Sequence, residues 1–388
     1  MENTHFDYVI IGAGAAGLHL CLAMIENSFF SDKRILILEK DSKTKNDRTW
    51  CFWEKGKGKW DHLLYRTWKN GYFHSAKFSK KLDLEDYSYK MIRSSQFYQF
   101  AKEKINSSSN FFWKKEEVIS VENSGKTPKI NTVINTYQTS HIFDSRIDKS
   151  FFEKKDDFIK LLQPFKGWTI KTKKPSFDTS SFVMMDFRLR WKDRTSFTYV
   201  LPLSKTEAMI EFTLFNKHTL TSGEFDNKLK QYISEILKVE EYEILEEEVG
   251  VIPMTDFPFH KKNNNTLTKI GTAGGWVKPS SGYAFKNCEK YAQTVIENII
   301  ANRLPSYQLF KTRYRWYDSI MLNILWNKNE LGTSLFVDMF ENNDVIDIFK
   351  FLDDEGNLIS DISIMRSFNP FPFLTALFRK YLPQKNTN

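Results

Sequence analysis

The chain has few cysteines, and this scarcity argues against disulfide-rich and zinc-binding classes of protein. Its 388 residues contain only Cys21, Cys51 and Cys288, which stand too far apart for a disulfide framework or a CxxC pair. The seven histidines form no pair at metal-ligand spacing. We therefore expect no metal site, and a reducing cytoplasm fits the cysteine usage best.

Long apolar runs are also missing. The most apolar stretch, residues 8–25, is interrupted by three glycines and by His19, and nothing else approaches the roughly 20 apolar residues of a membrane span. Any membrane contact is therefore expected to be peripheral. The net charge of +8 fits a soluble basic protein, and it also fits attraction to an anionic membrane surface. No nucleic-acid motif accompanies the basic residues, so we expect no nucleic-acid partner.

The amino-terminal part of the chain has the order of elements of a dinucleotide-binding βαβ unit. A strand-like apolar run at 6–11 leads into the glycine-rich segment GAGAAG at 12–17, and a helical pattern follows. A second apolar run at 34–38 then ends at Glu39. A glycine-rich segment alone is weak evidence, but here the strand, the helix and the acidic residue agree.

The key residues of this unit have the chemical properties that a dinucleotide site needs. Gly12 permits a tight turn, Gly14 lets the backbone approach a pyrophosphate, and Gly17 lets the helix pack on the strand. The amino terminus of the helix attracts phosphate, and Glu39 can accept hydrogen bonds from the adenosine ribose. The segment therefore predicts a site for the ADP half of FAD or NAD.

A later segment favours FAD. The glycine-rich turn IGTAGG at 270–275 is followed by the loop KPSSGYAF at 278–285 and a helical pattern at 286–300. This arrangement puts a second helix amino terminus near the cofactor, as in flavoproteins that return late in the chain to complete the site. An ordinary strand-loop-helix connection is the alternative.

The remaining patterns predict an α/β (α+β) fold built on a Rossmann-like domain. We expect a discontinuous FAD-binding domain at 1–150 and 249–305, a β-rich substrate domain inserted at 151–248, and a helical carboxy-terminal region at 306–388. The acidic run at 240–248 is expected to be a solvated face. Strand-like runs occur at 118–122, 132–136, 141–143, 182–189, 197–203 and 208–215, and helical patterns at 94–105, 222–237, 286–300 and 307–326.

Segments spread over nearly the whole chain occur together, and in the same order, in one known family. They are residues 6–17, Glu39 with Lys40, DRTWCFW at 47–53, DSR at 144–146, QPFKGW at 163–168, MDFR at 185–188, YVLPL at 199–203, EAMIEFT at 207–213, GVIP at 250–253, residues 271–285 and FLD at 351–353. In these segments the chain resembles the bacterial and plant lycopene β-cyclases, flavoproteins that close the ends of linear carotenoids.

The resemblance implies a fold, a cofactor and a reaction. The fold is that of the flavoprotein monooxygenase and glutathione reductase type. FAD, reduced by NAD(P)H, stays reduced while lycopene or a related linear carotenoid is isomerised through γ-carotene to β-carotene, at the cytoplasmic face of the inner membrane. The cofactor-binding residues implied are Gly12, Gly14, Ala15, Ala16, Gly17, Glu39, Lys40, Arg48, Thr49, Trp50, Gly271, Gly274, Gly275, Pro279, Gly282 and Tyr283.

Cyclisation without redox needs a neutral acid, and Glu211 is the candidate. On a strand at 208–215 it shares a face with Met209 and Thr213, and largely apolar surroundings would raise its pKa. The alternative is an edge-strand glutamate that reaches water. Plant members of the family and many bacterial members carry two adjacent carboxylates here, whereas Glu211 is followed by Phe212. Asp186, in a family-like motif, is our candidate for the second catalytic acid.

Two further patterns bear on the substrate. Aromatic rings can stabilise a carbocation, and those inside the motifs are Trp50, Trp53, Trp168 and Tyr283. The segment 368–381 combines aromatic residues with Arg379 and Lys380, a pattern suited to a lipid interface, although a tail packed on the protein would look the same.

The cofactor frame also suits two other functions. A flavin-dependent oxygenase or reductase acting on a prenyl lipid would use the same frame and would change the mass of its substrate. A prenyl-binding carrier without activity would contain no flavin. A cyclase leaves the substrate mass unchanged.

Overall fold

The computed structural model describes residues 5–123, 125, 127–153 and 158–381, with side chains up to residue 377. Within these ranges the chain forms three β-sheets and eleven α-helices, numbered here in chain order. No helix in them is both long and apolar enough to cross a bilayer. The predicted domains also include residues outside the described ranges, namely 1–4, 154–157 and 382–388. The side chains of Arg379 and Lys380 lie outside the described part as well.

The first sheet carries the predicted βαβ unit. Its central strands run parallel and are largely buried, as expected for a sheet covered by helices on its faces. The order is β8 (Phe111–Lys115), β2 (Ile35–Glu39), β1 (His5–Ile11), β11 (Thr136–Asp144), β10 (Lys129–Thr132) and β9 (Val118–Glu122), and β17 (Leu267–Lys269) also pairs with β11. Helices α1 (Ala15–Ile25), α2 (Ser94–Asn106) and α6 (Phe285–Ile300) pack over one face.

The second large sheet brings distant segments together. Its order is β16 (Tyr242–Thr255), β12 (Lys160–Thr172), β15 (Glu207–Leu214), β14 (Ser196–Pro202), β13 (Ser181–Asp186), β5 (Asn70–His74) and β6 (Ser79–Asp83). A small sheet of β3 (Thr49–Lys55), β7 (Tyr87–Arg93) and β4 (Arg66–Trp68) lies beside it. The second sheet therefore also contains strands β5 and β6, which lie outside the predicted insert at 151–248.

Helices cover the two faces of the second sheet differently. On one face, α4 (Ser222–Gln231) and the π-helical turn Tyr232–Ile236 close a separate apolar cluster. The other face contacts the small sheet and the carboxy-terminal helices α7 (Thr312–Asn327), α8 (Gly332–Asn342), α9 (Val345–Leu352) and α10 (Leu358–Arg366). Helix α11 (Pro370–Tyr381) packs on α7 and α8. The short helices α3 (Lys149–Glu153) and α5 (Gly271–Gly274) complete the set.

Two local predictions need correction. The predicted strand at 132–136 is wrong, because β10 ends at Thr132 and β11 begins at Thr136. The Thr132 hydroxyl caps the turn between them by accepting the Asn135 N–H at 2.8 Å. The predicted helix at 307–326 begins only at Thr312.

A buried ion cluster attaches the carboxy-terminal helices to the closing glycine-rich segment. The Lys278 ammonium lies 3.0 Å from Asp318 and 2.6 Å from Asp354, and the Ser280 hydroxyl donates to Asp318 at 2.6 Å. Burial of Asp318 raises the pKa of that carboxyl, and Lys278 opposes the shift. Each charged group of the cluster has an oppositely charged partner, so the cluster attaches the helices without leaving an unpaired ion in the interior.

Candidate active site

Four residues stand in one row across four neighbouring strands of the second sheet. Tyr199 of β14 pairs with Glu211 of β15, Glu211 pairs with Gly167 of β12, and Gly167 pairs with Glu248 of β16. Directly paired residues present their side chains on the same face of a sheet. The register therefore places two carboxyl groups on one face with a glycine between them.

Gly167 leaves the space between the two carboxyl groups open. A Cβ at this position would lie 3.3 Å from Cβ of Glu211. Because neighbouring strands are about 4.8 Å apart, the backbones of Glu211 and Glu248 are roughly 9.5 Å apart. A reacting group can lie between the two side chains only while no side chain projects from residue 167.

The environment of Glu211 favours its protonated form. Its side chain faces a cavity and is otherwise enclosed by protein, and this burial raises its pKa to about 8, with a further contribution from the charge of Glu248. The Thr213 hydroxyl donates to Oε1 at 2.8 Å and opposes the shift. Near neutral pH this carboxyl is a neutral acid, the form that a proton donor needs.

Glu248 lines the same cavity and has a different partner. The backbone N–H of Thr49 donates to its Oε1 at 3.1 Å. Burial raises the pKa of Glu248, but the contacts with Thr49 and the charge of Arg48 favour the ionised form. Two carboxyl groups in different environments can divide the roles of acid and base.

Glu248 is not among the predicted site residues, because the acidic run that contains it was expected to be a solvated face. That interpretation is wrong for Glu248, although several of its neighbours in β16 are exposed. The sequence feature that could have indicated a role for Glu248 is its position two residues before the family-like GVIP segment. The register that brings it opposite Gly167 depends on pairing between distant segments.

Asp186, the predicted second acid, lies elsewhere. It is fully buried and is held by the guanidinium of Arg188, with Nε 2.9 Å from Oδ1, and by the Tyr232 hydroxyl, 2.6 Å from Oδ2. It does not line the cavity described here. Because both of its oxygens are occupied by these partners, we do not carry Asp186 forward as a proton-transferring group.

The first sheet supplies a cradle for a dinucleotide at the other end of this cavity. Gly12 has a φ of +95°, and a Cβ on Gly17 would lie 2.1 Å from the carbonyl oxygen of Gly12, so both positions require glycine. A Cβ on Gly14 would meet no atom within 4 Å, which leaves room for a phosphate at the start of α1. Glu39 ends β2 and accepts the Ala13 N–H at 2.7 Å. These residues fit the ADP half of a dinucleotide.

One cavity of about 700 Å³ joins this cradle to the two carboxyl groups. The predicted cofactor residues that line it are Gly12, Gly14, Ala15, Ala16, Gly17, Glu39, Lys40, Arg48, Thr49, Trp50, Gly271, Gly282 and Tyr283. Tyr199, Met209, Glu211 and Glu248 line it as well. A bound dinucleotide and an acid at residue 211 would therefore share one space.

Three predicted cofactor residues do not line this cavity. A Cβ on Gly274 would lie 2.3 Å from the carbonyl oxygen of Lys269, so this glycine serves the tight turn after β17. Gly275 ends α5 with a φ of +71°, and its carbonyl accepts from Arg315 at 3.1 Å. Pro279 faces a separate small cavity beside the Lys278 cluster.

Residues 7–377, almost the whole chain, match the family profile described as lycopene cyclase protein. The chain belongs to the lycopene cyclase family. A search of curated proteins gave no match.

Solved flavoprotein structures share the fold of this lycopene cyclase family member. The flavin-dependent brominase Bmp2 is 14% identical with a TM-score of 0.61, covering 96% of this chain and 98% of its own. A geranylgeranyl bacteriochlorophyll reductase-like protein from Thermoplasma acidophilum is 13% identical with a TM-score of 0.58, covering 97% and 96%. A flavoprotein/dehydrogenase from Cytophaga hutchinsonii is 13% identical with a TM-score of 0.58, covering 94% and 100%. The Rossmann-like flavoprotein fold is thereby confirmed.

The aromatic residues of the lycopene cyclase motifs have different positions. Trp50 and Tyr283 line the cavity. Trp53 instead stacks on Phe349 at 4.3 Å and donates its indole N–H to Asp353. Trp168 lies on the opposite face of β12 from Gly167 and donates to Glu247 at 3.1 Å. Only the first two can face a reacting group in the cavity.

Residues just after the end of β11 complete the cradle, and the sequence predicted no role for them beyond the family motif. A Cβ on Gly12 would lie 2.1 Å from Oγ of Ser145, so the serine side chain packs directly against the glycine turn. Arg146 pairs with Asp144, with Nε 3.0 Å from Oδ1, and both Ser145 and Arg146 line the cavity. No group of three or more His, Cys, Asp or Glu side chains suited to a metal ion occurs among the described residues.

Proposed function

We propose that the protein is a lycopene β-cyclase that isomerises the linear ends of lycopene to β-ionone rings, through γ-carotene to β-carotene, without net redox. The observation that carries the proposal is the position of the enclosed Glu211 carboxyl group, which lies in one row with Gly167 and Glu248 in the cavity that also contains the dinucleotide cradle. Membership of the lycopene cyclase family supports the same substrate class.

The chemistry assigns one role to each carboxyl group. Glu211 gives its proton to the terminal double bond, the next double bond attacks the resulting cation to close the ring, and a proton is then lost from the ring carbon beside the new cation. Glu248 is the group positioned to accept that proton. One proton enters and one leaves, so the product is an isomer of the substrate, and transfer from Glu248 to Glu211 resets the site.

FAD is the proposed cofactor, reduced by NAD(P)H. The α1 amino terminus and Gly14 would hold the pyrophosphate, Glu39 the ribose, and Thr49 and Tyr283 would lie towards the carboxyl groups. When bound, the reduced flavin supplies an electron-rich ring that can stabilise positive charge. Trp50 and Tyr283 add aromatic surface to the lining, each worth about 0.5–2 kcal/mol to a cation at good geometry.

Product mass tests the proposal directly. Purified protein is incubated with lycopene, FAD and NADPH without oxygen, and the products are separated and weighed by mass spectrometry. A cyclase gives a cyclic product of unchanged mass. A product with added oxygen or hydrogen would instead indicate a flavin-dependent oxygenase or reductase of a prenyl lipid.

The cradle predicts a specific defect for Gly14→Val. A Cβ here meets no protein atom within 4 Å, so the fold should be kept, but the side chain would project into the proposed phosphate site. We expect FAD affinity to fall at least about tenfold, or about 1.4 kcal/mol, with an unchanged melting temperature of the FAD-free protein. FAD titration by fluorescence quenching measures this. Wild-type affinity in Gly14→Val would contradict the assignment, and Gly17→Val, which collides with Gly12, should lose stability as well.

The carboxy-terminal helices carry a proposed membrane contact, which would place the enzyme at the cytoplasmic face of the inner membrane. Phe371 of α11 is 74% exposed, and Leu374, Leu358 and Ile359 are also exposed on α10 and α11. Exposed aromatic and aliphatic side chains on neighbouring helices suit the lipid interface.

Phe371→Glu should therefore weaken binding to anionic liposomes several-fold while FAD content stays unchanged. The matched control is Ile134→Glu, because Ile134 is similarly exposed at 72% but lies on a turn of the first sheet. Flotation with liposomes measures the bound fraction. Equal flotation of Phe371→Glu and wild type would contradict the proposed membrane contact of α10 and α11.

A further inference from the structure

A second cavity lies between the second sheet and the carboxy-terminal helices. Its volume is about 100 Å³, room for several waters at about 10–15 Å³ each. The wall on the sheet side is fully buried and includes Met184, Phe197 and Phe215. On the helix side, Phe368 and Phe373 are only partly buried, so the cavity runs from the interior towards the surface.

Methionines are concentrated in its lining. Five of the chain's ten methionines lie there, namely Met184, Met185, Met321, Met339 and Met365. Methionine is flexible and polarisable, and it lets an apolar site adapt to the shape of its occupant. We call this space the methionine cavity.

The methionine cavity is separated from the cofactor cavity by one layer of side chains. Gln163, Tyr199, Ser281 and Tyr283 line both spaces. Within the described part of the chain, Oε1 of Gln163 and Oγ of Ser281 are buried without a hydrogen-bond partner. Buried polar atoms usually have partners, so these two side chains do not hold their part of the layer closed by a hydrogen bond of these atoms.

The outer end of the methionine cavity lies at the exposed helices. Phe368 and Phe373 stack at 5.2 Å and line the cavity, and the neighbouring Phe371 is exposed. Asp318 is a charged residue in the lining, and it is paired with Lys278 and with the Ser280 hydroxyl. An uncharged, flexible apolar chain therefore matches this space better than a lipid with a charged head group.

We propose that the methionine cavity holds a short segment of the non-reacting arm of a linear polyene, next to the reacting end, while the terminal double bond reacts at Glu211. This inference rests on the proposed function and adds where that segment of the substrate lies. Tyr199 contributes to both cavities and pairs with Glu211, so a chain passing this residue would enter the row of catalytic carboxyl groups.

Binding can be tested separately from catalysis on a Glu211→Gln background, which blocks the proposed proton transfer. Met184→Trp fills the cavity from the sheet side. Val183→Trp is the matched control, because Val183 precedes Met184 on the same strand and packs in the cluster on the opposite face. Lycopene retention after detergent gel filtration measures binding, and FAD content reports the fold.

We expect Met184→Trp to weaken lycopene binding at least tenfold and Val183→Trp to leave it unchanged. A short linear isoprenoid with the same end group should bind both variants equally, because it does not reach the methionine cavity. If Met184→Trp loses FAD, the same binding measurement is made with Met339→Trp, which fills the cavity from the helix side. Wild-type lycopene affinity in the folded filling variant would overturn the inference, as would equal loss in Val183→Trp. Failure of the wild type to cyclise lycopene would overturn the proposed function and leave these binding results intact.

Discussion

Replacing Glu211 with Gln should abolish cyclisation while the protein remains folded and able to bind FAD. Gln keeps the size of the side chain and can still accept the Thr213 hydroxyl, but it cannot give up a proton. General acid catalysis typically contributes about 10²–10⁴-fold, so we expect a loss in kcat of at least that order. Anaerobic turnover of lycopene, followed by product separation, measures it.

The control for this variant is Glu207→Gln, at the start of the same strand, where the carboxylate faces Lys171 at 3.5 Å near the surface. Normal cyclisation by Glu211→Gln would show that another group supplies the proton. Stability gives an independent measure. Because burial raises the pKa of Glu211 from 4.5 to about 8, the folded protein keeps a proton that the unfolded chain loses in this interval. Wild-type stability should therefore fall, relative to Glu211→Gln, as pH rises from 4.5 to about 8.

Glu248→Gln should have the second largest effect, because it removes the proposed base and also changes the acid. Loss of a general base lowers kcat by about 10²–10⁴-fold. Loss of its negative charge should lower the pKa of Glu211, since that charge contributes to the upward shift. The alkaline limb of the residual activity should therefore move to lower pH.

Glu247→Gln is the matched control for this variant. Glu247 is the adjacent residue on β16, and its carboxylate accepts from Trp168 on the other face and pairs with Lys166 at 2.9 Å. It should retain both the rate and the pH profile. If Glu248→Gln lowers only the amount of folded enzyme, and the folded fraction keeps the wild-type kcat, that result would contradict its assignment as a base.

The sequence predicts the parts of the site whose determinants lie within one short segment of the chain. The turn at Gly12, the helix start after Gly14 and the strand end at Glu39 lie within one βαβ unit, so their spacing alone indicates the cradle. The face that Glu211 shares with Met209 also follows from the alternation of a single strand.

Prediction from the sequence failed where the answer depends on strands that are distant in sequence. Whether Asp186 or Glu248 meets Glu211 is decided by the register of β12 against β15 and β16, which no single segment specifies. In the structure, Asp186 instead accepts hydrogen bonds from Arg188 and Tyr232. Similarly, the spacing of the closing segment does not reveal that Pro279 faces away from the cofactor cavity.

The row through Gly167 has a consequence for how this enzyme can change during evolution. Its carboxyl groups stand on strands rather than on loops, and a shift of one residue along a strand turns every following side chain to the opposite face. Insertions and deletions within β12 or β16 would thus separate the acid from the base, whereas loops can vary in length. If the proposed function is right, new specificities of this site are therefore expected to arise by point substitution around the row.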